Sequence, residues 1–178
     1  MDPVSQLLGE IDRRSLWRGE KSLKRGDFLK IGGSIDRKIY LVTEGALRAY
    51  LLQDDEEQTI RFGYANDILV ALDSYISGEP SDLYIQTLKS THLKWIERED
   101  LLSVLDSDPL LLRQWHILLE GLVLQQMERE RDLLTPSPAE RYQRVLARSP
   151  QLFQEVPHKY IASYLRMTPE TLSRLQKS

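Results

Sequence analysis

Twenty residues near the C-terminal end, H-K-Y-I-A-S-Y-L-R-M-T-P-E-T-L-S-R-L-Q-K from His158 to Lys177, constrain this chain more than any other stretch. Tyr160, Ile161, Tyr164 and Leu165 recur at three-to-four-residue spacing and make one apolar helical face. Ala162 is small where a second helix must cross closely. Thr168 and Pro169 then restart the chain, because a threonine hydroxyl can accept from an orphan amide and proline suits the first helical position. The restarted helix carries Glu170, Thr171, Ser173, Arg174 and Lys177 outward and leaves Leu172 and Leu175 to pack. This pattern is a helix-turn-helix, and its short second helix, polar at the start and basic at the end, suits a DNA major groove. Thr168, Pro169, Glu170, Thr171, Ser173, Arg174 and Lys177 are the candidate DNA-binding residues.

Charge agrees once the chain is divided. The whole is mildly acidic, with 24 basic and 27 acidic side chains, which by itself argues against a nucleic-acid binder. Residues 137–178 hold seven Lys/Arg against three Asp/Glu, a net of +4, while residues 1–136 carry −7. An acidic body with a basic C-terminal module is the asymmetry expected when one module alone meets phosphate.

The 178 residues allow one domain of ordinary size and one small one. The absence of cysteine excludes disulfides, iron–sulfur clusters and thiolate zinc sites. Met1 to Trp17 contain no uninterrupted apolar run, so neither signal peptide nor membrane span is expected, and the protein is expected in the cytoplasm, away from membranes.

After an amphipathic N-terminal helix (Val4, Leu7, Leu8, Ile11), residues 20–97 read as strands broken by turns. Ile39, Leu41 and Thr43 alternate with Tyr40 and Val42 before a turn at Glu44-Gly45. Leu47, Ala49 and Leu51 alternate with Arg48 and Tyr50 up to the acidic tip at residues 54–57. Further runs follow around Thr59–Phe62, Tyr84–Leu88 and His92–Ile96. Short strands with frequent turn signals predict an antiparallel barrel or jelly roll.

A helix follows from Glu99 to Leu105, and Asp108-Pro109 opens a long one, with Asp108 as its cap, reaching about Arg131. Its apolar stripe, which includes Leu111, Trp115, Leu118 and Leu122, is wider than packing against one body requires. The expected second partner is the same helix of another copy, with those four leucine and tryptophan positions as the interface; a helix buried within a single chain is the alternative. Gly121 in mid-helix costs roughly 1 kcal/mol relative to alanine, which close helix approach would explain. Glu128, Arg129, Glu130 and Arg131 read as a solvated helix end. Thr135-Pro136-Ser137-Pro138 is a hinge by composition, followed by a helix from Ala139 to Arg148. The expected fold class is α+β: a β-roll or jelly-roll sensor domain over residues 1–134, including a dimer helix at about 108–132, then a small helix-turn-helix domain over 135–178, lacking a full wing. A module of roughly forty residues is marginal alone and should lean on the long helix or the body.

Roll, long helix, hinge and helix-turn-helix in this order resemble the Crp/Fnr family of bacterial transcription regulators. A-E-R-Y-Q-R-V-L after Pro138 and P-x-x-Y-I-A-S-Y-L-x-x-T-P-E-T-L-S-R are similar to the branch common in Bacteroidetes; L-K-R-G-D-F-L and I-Y-L-V-T-E-G-A-L-R-A-Y are less specific. The resemblance implies a homodimer formed by the long helix, a small signal bound by the roll, a palindromic promoter site in double-stranded DNA, and RNA polymerase as a further partner.

Residue by residue, the resemblance places the family's base-reading Glu and Arg on Glu170 and Arg174, whose chemistry suits cytosine N4 and guanine O6/N7. The arginine that begins this trio in cyclic-AMP receptors is Pro169 here, so the preferred sequence should differ. Arg166 stands at a turn position where glycine is common. In the roll, the glutamate for the ribose hydroxyl falls on Ala71 and the arginine step for the cyclic phosphate on Ser81-Asp82-Leu83. Without that guanidinium the phosphate loses its charge-assisted partner, and Asp82 repels it. The long helix also has no Ser or Thr between Ser107 and Thr135 to meet a base. No cofactor is expected and cyclic AMP is not the expected effector; a smaller or less anionic one would sit near Ala71, Ser74, Ser81, Asp82 and Tyr84.

Enzyme readings find no support. His92, His116 and His158 fall in different parts of the chain, too scattered for a cupin metal site, and neither a phosphate loop nor a nucleophile elbow is present. Two functions remain: a DNA-binding regulator, or a signal-binding or interaction module that has lost DNA binding.

Overall fold

The alternating stretch closes on itself as two four-stranded antiparallel sheets in the computed structural model, which describes residues 3–177. Met1, Asp2 and Ser178, at the outer limits of the two expected domains, lie outside the described residues. Helix α1 (Pro3–Arg13) precedes β1 (Gly19–Leu23), β2 (Phe28–Lys30), β3 (Lys38–Glu44), β4 (Ala46–Gln53), β5 (Glu56–Tyr64) and β6 (Ile68–Leu69). A short helix α2 (Leu72–Ser77), then β7 (Tyr84–Thr87) and β8 (Thr91–Glu97), complete the roll. One sheet runs β1-β8-β3-β6 and the other β2-β7-β4-β5. Helix α2 interrupts a stretch expected to hold only strands and turns, since six residues are too few to display a helical period.

Two turns show why the strands pair as they do. Asp54 and Asp55 both take positive φ (52° and 63°) between Gln53 and its partner Glu56, a two-residue hairpin loop whose twist matches the strands. Gly45 sits at φ 105°, and a β-carbon there would stand 2.4 Å from Thr91 Oγ1 and 2.6 Å from the Ser90 carbonyl. Only glycine fits that crossing.

Alternation then sorts the side chains between cores. Tyr40, Val42, Leu69 and Leu93 of one sheet meet Leu29, Leu47, Ala49 and Ile85 of the other. Ile39 and Ile96, on the reverse face of the first sheet, pack against α1, α3 (Arg98–Ser107) and the start of α4 (Pro109–Leu134) through Leu7, Ile11, Leu101 and Leu105. The third core joins Ala46 and Leu88 of the second sheet to the C-terminal helices.

Helix α4 has 26 residues, about 39 Å at 1.5 Å per residue. Asp108 caps it as expected, its carboxylate accepting from the Leu110 amide at 2.9 Å and the Leu111 amide at 3.4 Å. It continues past the expected end at Arg131 to Leu134, where Thr135 Oγ1 donates to the Arg131 carbonyl at 2.8 Å. Helices α5 (Pro138–Arg148), α6 (Leu152–Glu155), α7 (His158–Tyr164) and α8 (Pro169–Lys177) follow. No helix among the described residues is long and apolar enough to cross a membrane.

Candidate functional site

The expected turn between α7 and α8 is built from its own hydrogen bonds. Met167 N donates to the Ala162 carbonyl at 3.1 Å and Arg166 N to the Ser163 carbonyl at 3.1 Å, with Arg166 at φ 53°. That pairing is a Schellman closure with arginine in the left-handed position usually given to glycine. Arg141 of α5 secures it from outside, donating to the Leu165 carbonyl at 3.0 Å and the Arg166 carbonyl at 3.1 Å. Thr168 Oγ1 accepts from the Thr171 amide at 3.2 Å, the cap expected from its position. Ala162, Ile161, Leu165 and Leu172 are buried between the two helices and α5, while Leu175 is half-buried.

The opposite face of α8 is open to solvent. Thr168, Pro169, Glu170, Arg174 and Lys177 are exposed, and Thr171 and Ser173 are half-buried. Hydrogen bonds from its own backbone amide and from the Thr168 hydroxyl hold the Glu170 carboxyl below the usual glutamate range. All seven residues expected to form the polar surface therefore share one region of the molecule.

At the end of α4, expected to be solvated, Glu130 and Arg131 are exposed, but Glu128, Arg129 and the adjoining Asp132 form the seat of this unit. Arg129 is buried; its guanidinium donates to the Tyr164 carbonyl and lies 3.7 Å from the Tyr164 ring centroid. Asp132 is fully buried and pairs with Arg144 (3.0 Å) and with Arg148, while Glu128 takes a second nitrogen of Arg144 at 3.1 Å. The Asp132 carboxylate raises the Arg148 pKa through that hydrogen bond. The signal was present in the sequence: Glu128/Asp132 and Arg144/Arg148 share the four-residue spacing that puts each pair on one helical face. These contacts also reduce the basic surface. Of the seven cations in residues 137–178, Arg141, Arg144, Arg148 and Arg166 are tied to carbonyls, carboxylates or the Gln58 side chain, which leaves Lys159, Arg174 and Lys177 as the outward charges.

The unit also leans on the roll. Ser163 Oγ donates to the Glu57 carbonyl at 2.8 Å and accepts from the Thr59 amide at 3.0 Å, so α7 covers the edge strand β5. Arg48, on the outward side of β4, is buried between the rings of Tyr50 and Tyr160 at 4.2 and 4.0 Å and pairs with Glu57 at 2.6 Å.

The residues expected to line an effector pocket stand in different surroundings. Ala71, Ser74 and Ser81 are buried, Ser74 Oγ accepts from the Asp36 amide at 2.9 Å, and Ser81 pairs with Ser34 as an isolated bridge. Asp82 is exposed, and Tyr84 stacks on Tyr50 at 5.2 Å. Leu83, beside them, fills the roll core with Leu69 and Ile85. Lys30 holds this end closed, its ammonium donating to the Ser81 and Leu83 carbonyls at 2.9 and 3.0 Å.

The four α4 residues expected at a dimer interface face this chain's own body. Leu111 is buried in the core beneath α1 and α3, Trp115 and Leu118 pack at its margin, and Leu122 lines a cleft beside β6. The exposed apolar positions of α4 are Leu110, Leu112, Ile117, Val123, Leu124, Met127, Leu133 and Leu134, among which Leu110 (61 %), Ile117 (41 %) and Leu124 (63 %) lie seven residues apart. Gly121 meets no close neighbour: a β-carbon there would find no heavy atom within 4 Å, so close helix approach within the chain does not account for it.

Comparison with known proteins follows the same outline. Residues 20–108 match the family described as cyclic nucleotide-binding domain. No curated protein matches the chain significantly. FixK2 from Bradyrhizobium japonicum is 20 % identical over 89 % of this chain and 82 % of its own, with a TM-score of 0.75. The catabolite activator protein of Thermus thermophilus is 22 % identical over 98 % of this chain and 85 % of its own (TM-score 0.61). A second Thermus thermophilus protein, a transcriptional regulator of the CRP family, is 17 % identical over 88 % and 82 % (TM-score 0.66). At these identities the likeness is one of fold, and it spans nearly the full chain.

Proposed function

Since the chain belongs to the cyclic nucleotide-binding domain family, we propose that it is a dimeric, cytoplasmic transcription regulator of the Crp/Fnr type, with a helix-turn-helix that binds DNA and a roll whose nucleotide chemistry is gone. It is a regulator and not an enzyme in this reading. The observation that carries it is α8: its cap, its buried Leu172 and its outward Glu170, Arg174 and Lys177 are together on a turn braced by Arg141. Arg174 serves as the guanine reader, Glu170 as the cytosine selector and Lys177 as a phosphate contact. A second copy joins through the exposed apolar face of α4 that includes Leu110, Ile117 and Leu124, and sets two half-sites about 34–36 Å apart or a close multiple.

The experiment is selection of bound DNA fragments, then competition binding at two salt concentrations. Arg174→Ala should cost about 1–3 kcal/mol and relax one base position per half-site, whereas Lys177→Ala should weaken all sequences alike and reduce the salt slope by about one charge. Equal affinity for selected and random DNA, unchanged by Arg174→Ala, would overturn the reading in favour of an interaction module. Calorimetry should show no tight cyclic AMP binding, because Ala71 is enclosed in the roll core and the phosphate has no guanidinium to meet.

A further inference from the structure

A cleft of about 560 Å³ lies between α4 and the outer face of β6 and α2. Ile68 and Val70 of this stretch line it, whereas Leu69 and Ala71 point the other way into the roll core, so the cleft lies on the other side of this stretch from Ala71. Its size is that of a small-molecule site, and Phe62, Val70, Trp115, Leu118 and Leu122 make its walls apolar.

Two donors beside the cleft, on Tyr75 and Arg98, lack acceptors. Tyr75 is 6 % exposed, and its hydroxyl has no hydrogen-bond partner; Arg98 Nε is likewise buried and unpartnered. The Arg98 guanidinium stands 5.4 Å from the Tyr75 ring centroid. Arg37, whose charge also acts on Tyr75, stands outside the cleft and pairs with Glu99 at 3.1 Å. Arg61 reaches Gln125 Oε1 at 3.4 Å and is balanced by Asp67, which accepts from the Tyr64 amide at 2.9 Å. Among the described residues, Arg98 is thus the charge at the cleft with no carboxylate of its own. Buried donors without acceptors are rare in native structures, and a group that only accepts satisfies them best.

We propose that this cleft binds a small apolar carboxylate, its hydrocarbon against Trp115 and Leu122 and its charge on Arg98 and the Tyr75 hydroxyl. The inference deepens the regulator reading by naming an effector class and rests on it only for that consequence. Binding is measured without DNA, so the two can fail separately.

The test is calorimetry on the full chain with decanoate, and with decanamide as its uncharged counterpart. Decanoate should saturate one site per chain and bind at least about tenfold more tightly than decanamide, the ratio expected for a charge-assisted contact. Arg98→Gln should remove that preference while leaving decanamide binding as it was. Gly121→Leu directs a side chain into open space at the cleft and improves helix propensity, so it should fold and bind neither probe. The proposal is overturned if decanoate fails to saturate below about 1 mM, if decanamide binds equally well, or if Gly121→Leu retains wild-type binding. A Gly121→Leu protein that changes only in oligomeric state would assign the cleft to a second copy and overturn it also.

Discussion

Arg48 is the most sensitive test of how the C-terminal helices are held. Its side chain is 2 % exposed, its guanidinium lies between Tyr50 of the roll and Tyr160 of α7, and Glu57 and Gln86 accept from it at 2.6 and 2.7 Å. Replacing Tyr160 by leucine keeps apolar bulk on α7 but removes one π-face from a desolvated cation. The cost should be about 2 kcal/mol, the buried end of the cation–π range, which corresponds to a roughly 30-fold rise in the undocked population. Arg48→Met exchanges a buried charge for apolar volume and should be nearly neutral in global stability. In that background Tyr160→Leu loses most of its effect, so a double-mutant cycle should report a coupling of about 1–2 kcal/mol. The local readout is amide exchange at Thr59, whose N–H donates to Ser163 Oγ only while α7 is docked. Its protection should fall about 30-fold in Tyr160→Leu while amides of the β4–β7 pairing keep theirs. Thr59 protection within about twofold of wild type, or a coupling below about 0.5 kcal/mol, would refute the reasoning.

Asp132→Asn leaves Arg144 and Arg148 without their buried carboxylate, and urea unfolding should show a loss of about 3 kcal/mol, at the lower end for a broken buried pair because both arginines are partly exposed. Desolvation by neighbouring atoms raises the Asp67 pKa above its ordinary 3.8 despite the Tyr64 amide and nearby Arg61, and because the residue is exposed the effect on stability should be small. The charged form is therefore penalised in the folded state, fully above the raised value and not at all below 3.8. Asp67→Asn should accordingly be the more stable protein at pH 7, with the advantage fading as pH falls through that window; parallel urea midpoints across pH would contradict this. Arg166→Gly relieves a non-glycine residue at φ 53° and should gain about 0.5 kcal/mol after the greater unfolded-state entropy of glycine is set against it. An unchanged or lowered Tm would show that the Arg166–Gln58 contact outweighs the strain.

The elements legible in advance were those whose cause is local. Thr168-Pro169 and Asp108-Pro109 mark helix starts because a side-chain acceptor and a missing N–H act within one turn. The alternation of Tyr40, Val42, Leu47 and Ala49 marks strands because successive side chains point to opposite faces. What covers the outward faces was not legible in advance. Arg48 alternates with core residues and reads as solvent-facing until α7 lies over it, and Glu128 and Arg129 read as part of a helix end in water until α5 and α7 dock there. The same limit applies to α4, where Leu111 is buried against its own chain while Leu110, Ile117 and Leu124 are exposed. Periodicity reports that a helix has two apolar sides. Which side meets its own chain depends on contacts between segments distant in sequence, and those exist only in the tertiary structure.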